Sequence, residues 1–176
     1  MRRFTAWQNE VDPIANEQEH MSKAATAFRV RRAGEADLAD VIALDERVTG
    51  VRKTDYWQDL YTSYQTRRAG ERFFFVAEET DDLGGKHVRG FVIGEVRAWE
   101  FGSTPCGWVF AISVDPEARL AGAGEQLLTS ISDAFRDVGV NTMRTMISRD
   151  NHLLMSFFRS EGMMAGPYVQ LEKDLL

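Results

Sequence analysis

The sequence predicts an α/β domain built on one mixed sheet with helices on both faces. Apolar periodicity switches repeatedly between two residues and 3.6 residues along one unbroken stretch. Strands occur both as hairpin partners and as crossovers interrupted by helices, a mixture that a doubly wound sheet, alternating strand and helix throughout, does not show. The composition agrees: 176 residues, 44% hydrophobic and 27% charged, suit one globular domain with a continuous core.

Taken in order, residues 1–27 are polar and weakly patterned, with Pro13 interrupting them, and read as an extension with at most one short helix. The domain proper runs over 28–176. Phe28 to Arg32 alternates apolar and polar, as a half-buried strand does. Gly34 to Asp37 opens a helix with Leu38, Val41, Ile42 and Leu44 on one side, ending at Thr49 and Gly50. A second helix from about Asp55 carries Trp57, Leu60, Tyr61 and Tyr64 at helical spacing. A hairpin follows: a buried strand from Arg72, a turn over Asp81 to Lys86, and a return strand from His87 to Val96. A third long strand, Trp108 to Val114, is stopped by Asp115 and Pro116. The segment from Gly124 to Val138 is an amphipathic helix with Leu127, Leu128, Ile131 and Phe135 on one face. A strand from Thr142 to Ile147, a helix from Asn151 to Arg159 and a final strand from Tyr168 to Glu172 complete the order.

Charge and cysteine count narrow the function classes. Lysine and arginine number 21 against 27 acidic residues, a net charge of −6, which argues against a nucleic-acid binder and favours cationic partners such as amines. Cys106 is the single cysteine, so neither an internal disulfide nor a cysteine zinc cluster can form, and it reads as a small buried strand residue. No apolar run approaches the ~20 residues that span a bilayer. Polar residues from Gln8 follow the basic start where a signal core would lie, so the chain reads as cytoplasmic.

The strongest local signal lies between the third long strand and its helix, from Val114 to Leu128. A strand, a glycine-bearing turn and a helix start aim consecutive backbone N–H groups and the positive end of a helix dipole at one spot. Gly122 and Gly124 let a diphosphate approach the backbone closely. A P-loop is excluded, because Gly124 is followed by Glu125 and Gln126 instead of lysine and a hydroxyl residue. A dinucleotide fingerprint fails where Leu127 replaces a third small residue, and Asp150 supports it weakly. By itself the turn could equally be a helix cap that binds nothing.

The spacing of Val114, Pro116, Arg119, Gly122, Gly124 and Leu127 resembles the acyl-CoA motif of the GNAT N-acetyltransferases. Downstream, Asn151, Phe158, Gly162 and Met163 stand where that family usually has Asn, Tyr, Gly and Phe, and Tyr168 to Lys173 resembles its closing strand. The resemblance, over about Phe28 to the C-terminus, implies a mostly antiparallel sheet of six to seven strands. It implies acetyl-CoA as co-substrate, no metal, and transfer of an acetyl group to a primary amine (a small amine, an amino acid or a protein amine) by direct attack in a ternary complex. The turn Arg119, Leu120, Ala121, Gly122, Ala123 and Gly124, with Glu125, would bind the diphosphate. Ile112, Ser113 and Val114 would pair with pantetheine where the fourth strand splays from the fifth at a bulge. An amide near Ile112 would polarise the thioester carbonyl. Asn151 would bond the pantetheine arm, cap the last helix, or do both.

An alkylammonium of pKa ~10.4 must lose a proton before it attacks, so a base or water relay is needed. Glu95 and Glu100 are the candidates, each equally readable as a solvated strand residue; Asp45 and His152 are outsiders. The family's usual glutamate early on the fourth strand does not carry over, since Cys106 or Gly107 stands there. Phe158 cannot donate a proton as the usual tyrosine would, which leaves water, Tyr168 or Ser156 to neutralise the thiolate. That departure also motivates an alternative, a non-catalytic acyl-CoA sensor. Asp45, Arg52 and Trp57 are the candidates for binding the acceptor, although Trp57 reads more readily as core. Family members often pair, so a homodimer is the implied assembly, with neither nucleic acid nor membrane as partner.

Overall fold

A computed structural model describes residues 28–66 and 70–175. The segment 1–27, expected as an extension, lies outside the described residues. Five strands form one sheet in the order β1 (Arg29–Arg32), β2 (Arg72–Thr80), β3 (Lys86–Arg97), β4 (Cys106–Val114), β5 (Met143–Thr145). The first four pair antiparallel and β5 joins β4 in parallel. The helices are α1 (Leu38–Thr49), α2 (Thr54–Thr66), α3 (Ala123–Asp137) and α4 (His152–Ser160).

Helices cover both faces of the sheet, as the periodicity requires. On one face α3 brings Leu127, Ile131 and Phe135 onto Phe73, Ala77, Val92 and Val109, with Phe158 of α4 in the same cluster. On the other, Val41, Ile42 and Leu44 of α1 and Trp57 and Tyr64 of α2 pack on Phe74, Val76, Phe91 and Ile93. Consecutive residues of β2 and β3 therefore alternate between two apolar cores, and the run Phe73, Phe74, Phe75 feeds both.

Three glycines let α3 lie close to the sheet. A Cβ at Gly90 would meet Leu127 at 2.9 Å, one at Gly94 would meet Phe135 at 2.8 Å and Ile131 at 2.9 Å, and one at Gly107 would come within 2.3 Å of Phe135. Leu127, Ile131 and Phe135, four residues apart on one helical stripe, thus bed into a trough of missing side chains.

The sheet has five strands where six to seven were expected. Tyr168 to Glu172 shows the expected alternation but pairs with no strand among the described residues, and Tyr168, Val169 and Leu171 are exposed. β5, paired with β4 over only three residues, offers a short ladder on which to extend the sheet. Elsewhere the expected order holds. Gly34 to Asp37 is a 3-10 turn ahead of α1, tied by Arg31, which reaches both Asp37 (2.6 Å) and Glu78 (2.7 Å). Both carboxyls are buried, and hydrogen bonds from the Arg31 guanidinium hold each below the usual carboxylate range.

Candidate functional site

β4 departs from its neighbour in the middle. It pairs with β5 at Gly107, Trp108 and Val109, and the ladder ends there. At the same level Ile93 faces Ala111 and Gly94 faces Val109, so Phe110 is an extra residue in β4. A bulge of this kind bends and twists the strand that carries it. It also shifts the alternation: Trp108, Phe110 and Ala111 lie on the α1–α2 side, whereas Ile112 and Val114 turn to the α3 side. The Gly107 N–H donates across to Thr142 next to β5, whereas the Asp115 N–H donates to Arg89 of β3. Alternation back from Asp115 gives Ser113 to β3 and aims the backbone groups of Ile112 and Val114 at the edge that β5 has left. The ladder with β5 thus ends ahead of Ile112 and Val114, whereas Ser113, also expected to pair with pantetheine, turns its backbone groups to β3.

The expected diphosphate seat stands next to that edge. Asp115 ends β4 and caps a 3-10 turn, Pro116–Ala121, by accepting the Glu117 N–H at 3.1 Å. Its buried carboxylate also receives Arg47 of α1 at 3.0 Å and lies 3.5 Å from Arg89 of β3, so the turn is fastened to both. Gly122 then takes a left-handed conformation (φ 84°), which a side chain would strain. The first intrahelical bond of α3 runs from the Gln126 N–H to the Gly122 carbonyl at 3.1 Å. The N–H groups of Ala123, Gly124 and Glu125 precede it, and no side chain caps them. Gly124 carries no side chain, and a Cβ there would already meet Phe157 at 3.2 Å. Arg119 is exposed, its Nε donating to the Val114 carbonyl at 3.3 Å, and Leu120 points fully outward, so any part Leu120 plays is through its backbone. A cleft of about 480 Å³ opens beside Ala121, Gly122 and Glu125 and runs between α3 and Val30 of β1.

The residues expected at the acceptor separate into two groups. Asp45 and Trp57 are interior, at 4% and 2% exposure. The Trp57 Nε1–H donates to Asp45 at 2.8 Å, and Lys53 meets the same carboxylate at 2.8 Å, so the pair locks α1 to α2 instead of facing a substrate. Arg52 is exposed and paired with Glu46 at 2.8 Å. Glu95 and Glu100 do come together, in a cleft of about 180 Å³ that Arg72 and Arg97 also line. Arg97 Nε donates to Glu95 at 3.2 Å, and Arg72 lies 3.5 Å away on its other side. Tyr168 stands apart from this cleft, its ring under Arg144 at 4.5 Å. Asn151 caps α4, its Oδ1 accepting the Leu154 N–H at 3.1 Å. Phe158 is buried core, packed on Phe157.

The arginines were missed from sequence. Each sits in a strand at a position that alternation marks as outward, where a charge draws no notice. Only the register shows that Arg72, Glu95, Trp108 and Arg144 stand side by side across four strands.

The helix start and the vacated strand edge lie within residues 38–163, the span over which the sequence matches the model of the acetyltransferase (GNAT) family. The chain belongs to that family. Solved GNAT structures superpose closely at low identity. An aminoglycoside N-acetyltransferase in complex with CoA gives a TM-score of 0.69 at 18% identity, covering 85% of this chain and 96% of that one. The aminoglycoside 6'-N-acetyltransferase of Acinetobacter baumannii gives 0.69 at 16%, covering 85% and 99%. Glucosamine-6-phosphate N-acetyltransferase of Arabidopsis thaliana gives 0.64 at 16%, again covering 85% and 99%. No curated protein matches the sequence. Among the described residues no helix is long and apolar enough to cross a membrane, and no three His, Cys, Asp or Glu side chains are grouped to hold a metal.

Proposed function

We propose that this GNAT chain transfers an acetyl group from acetyl-CoA to a primary amine within a ternary complex. The carrying observation is the vacated edge of β4 lying next to the uncapped N–H groups of Ala123, Gly124 and Glu125. The edge offers an extended polyamide a ladder, and the helix start offers a diphosphate its donors. Ile112 and Val114 hold the pantetheine arm. The Ile112 N–H donates to the thioester oxygen as negative charge develops there.

Acetyl-CoA supplies the activated acetyl group. The amine nitrogen forms a C–N bond to the acetyl carbon as the C–S bond breaks. The ammonium sheds one proton through Glu95 before attack; the nitrogen loses a second to water as the C–S bond breaks, and water returns a proton to the departing thiolate. Trp108, beside Glu95, precedes Ile112 by four residues, one of them absorbed in the bulge, which leaves about 10 Å of strand, so Glu95 works through a water relay. Phe158 is buried in the core and donates nothing, which favours water as the acid.

Calorimetry with acetyl-CoA and thiol release with a panel of amines test this directly. Gly124→Trp fills the seat and abolishes binding; wild-type affinity in that variant defeats the assignment. Phe158 also supports a second reading, a sensor that binds acyl-CoA without turnover. It would show binding with no thiol release for any amine.

A further inference from the structure

The cleft around Glu95 carries more than a base. Across β2, β3, β4 and β5 the register sets Arg72, Glu95, Trp108 and Arg144 in one row on the α1–α2 side, and Arg97 lies over Trp108 with its guanidinium 4.9 Å from the ring centre. Every guanidinium in the group has an aromatic platform: Arg72 over Tyr64 at 5.1 Å, Arg97 over Trp108, Arg144 over Tyr168. Arg72 is tethered further by donating Nη1 to the Ser63 carbonyl at 2.9 Å. Cys106 is the register partner of Arg97, and its Sγ lies 3.5 Å from Arg144 Nη1. Arg97 spends Nε on Glu95 and approaches Glu100 only at 4.0 Å, so the fork keeps donors for an incoming acceptor oxygen.

We infer that the acceptor is a small amine that also carries an anionic group. Its amine lies on the Ile112 side of Glu95, joined to that carboxylate by the water relay, and its carboxylate or phosphate is met by the free donors of Arg97 over Trp108. This rests on the acetyl-transfer reading above and names the substrate class for it. Three carboxylates (Glu71, Glu95 and Glu100) and two guanidinium groups (Arg72 and Arg97) line the cleft, so it presents both charges that an anion-bearing amine needs. The cleft, at about 180 Å³, is below the roughly 300–1,000 Å³ of pockets that take drug-sized ligands, which limits the acceptor to the scale of an amino acid or a single sugar. Aromatic stacking fixes the guanidinium planes in advance, so little side-chain freedom is lost when an oxyanion binds.

The test is thiol release by the wild-type protein with matched acceptors: α-amino acids against their amides, glucosamine 6-phosphate against glucosamine, and spermidine as polycation. We expect the anionic member of at least one pair to be preferred tenfold or more in kcat/KM. The pair that shows it separates a carboxylate from a phosphate as the anion. Arg97→Gln should collapse that preference, with acetyl-CoA calorimetry confirming that the variant is folded; should it not fold, the wild-type preference decides. Equal use of both members of each pair, preference for spermidine, or an unchanged preference in folded Arg97→Gln overturns the acceptor class and leaves acetyl transfer standing. Acetyl-CoA binding without thiol release from any amine overturns both.

Discussion

Replacing Gly107 with alanine tests whether the trough under α3 positions the diphosphate seat. The added Cβ would lie 2.3, 2.5 and 2.6 Å from three carbons of the Phe135 ring. Ordinary carbon contacts begin near 3.5 Å, so the ring must withdraw by about 1 Å. It has little room, because Phe73 meets it edge-on at 5.3 Å and Gly94 lies under its tip. Overpacking of this kind costs about 1–3 kcal/mol, and the confinement places Gly107→Ala near the upper value. At about 2–4 °C per kcal/mol for a chain of this size, Tm should fall by about 6–12 °C. Because Phe135 rides on the helix that begins at the seat, tilting α3 should also weaken acetyl-CoA several-fold, read as a smaller ligand-induced rise in Tm. Phe135→Leu in the same chain should restore part of the loss, a coupling that a double-mutant cycle measures. Wild-type Tm in Gly107→Ala would refute the reasoning, since the ring would then be yielding freely.

Arg31→Ala leaves the buried carboxylates of Asp37 and Glu78 without their main partner and should cost about 3 kcal/mol at neutral pH in urea unfolding. Both carboxyls are held below their ordinary range, so their stabilisation is complete above that range and is lost as pH falls through and below about 4; the gap between variant and wild type should narrow there. Tyr64→Phe should raise Tm by about 2–4 °C, because the Tyr64 hydroxyl is buried without a hydrogen-bond partner and its removal relieves about 1 kcal/mol; a fall in Tm would contradict this. Glu95→Gln should lower kcat/KM for the amine about 10²-fold while leaving acetyl-CoA affinity within twofold in calorimetry, and undiminished turnover would remove Glu95 from the proton path.

Element types and their order were legible because periodicity and punctuation agreed. Gly50 ends α1 in a left-handed conformation (φ 74°), and Asp115 with Pro116 stops β4 where expected. The seat was legible for the same local reason, as Gly122 and Gly124 sit within a few residues of the helix they open. Register was not. Nothing near Arg72 in sequence states that it will stand beside Glu95, because that adjacency is fixed by a hairpin pairing 23 positions apart. The final strand failed for a related reason: Tyr168, Val169 and Leu171 have the alternation of a strand, but alternation gives a face and not a partner. Asp45 and Trp57 are candidates for the acceptor site because a polar and an aromatic group in neighbouring helices suit an amine, although Trp57 reads more readily as core, where it lies. Their hydrogen bond to each other uses that chemistry internally.

The surplus residue in β4 has a consequence for how the protein tolerates change. Nine residues from Cys106 to Val114 face eight from Gly90 to Arg97, and the odd one out is absorbed at Phe110. Before it, odd-numbered amides look toward β5; after it, even-numbered ones do. The cleavage between the two strands is therefore a matter of counting, so a one-residue deletion there would let β4 zip onto its neighbour and close the slot, while many substitutions of side chains along it would not.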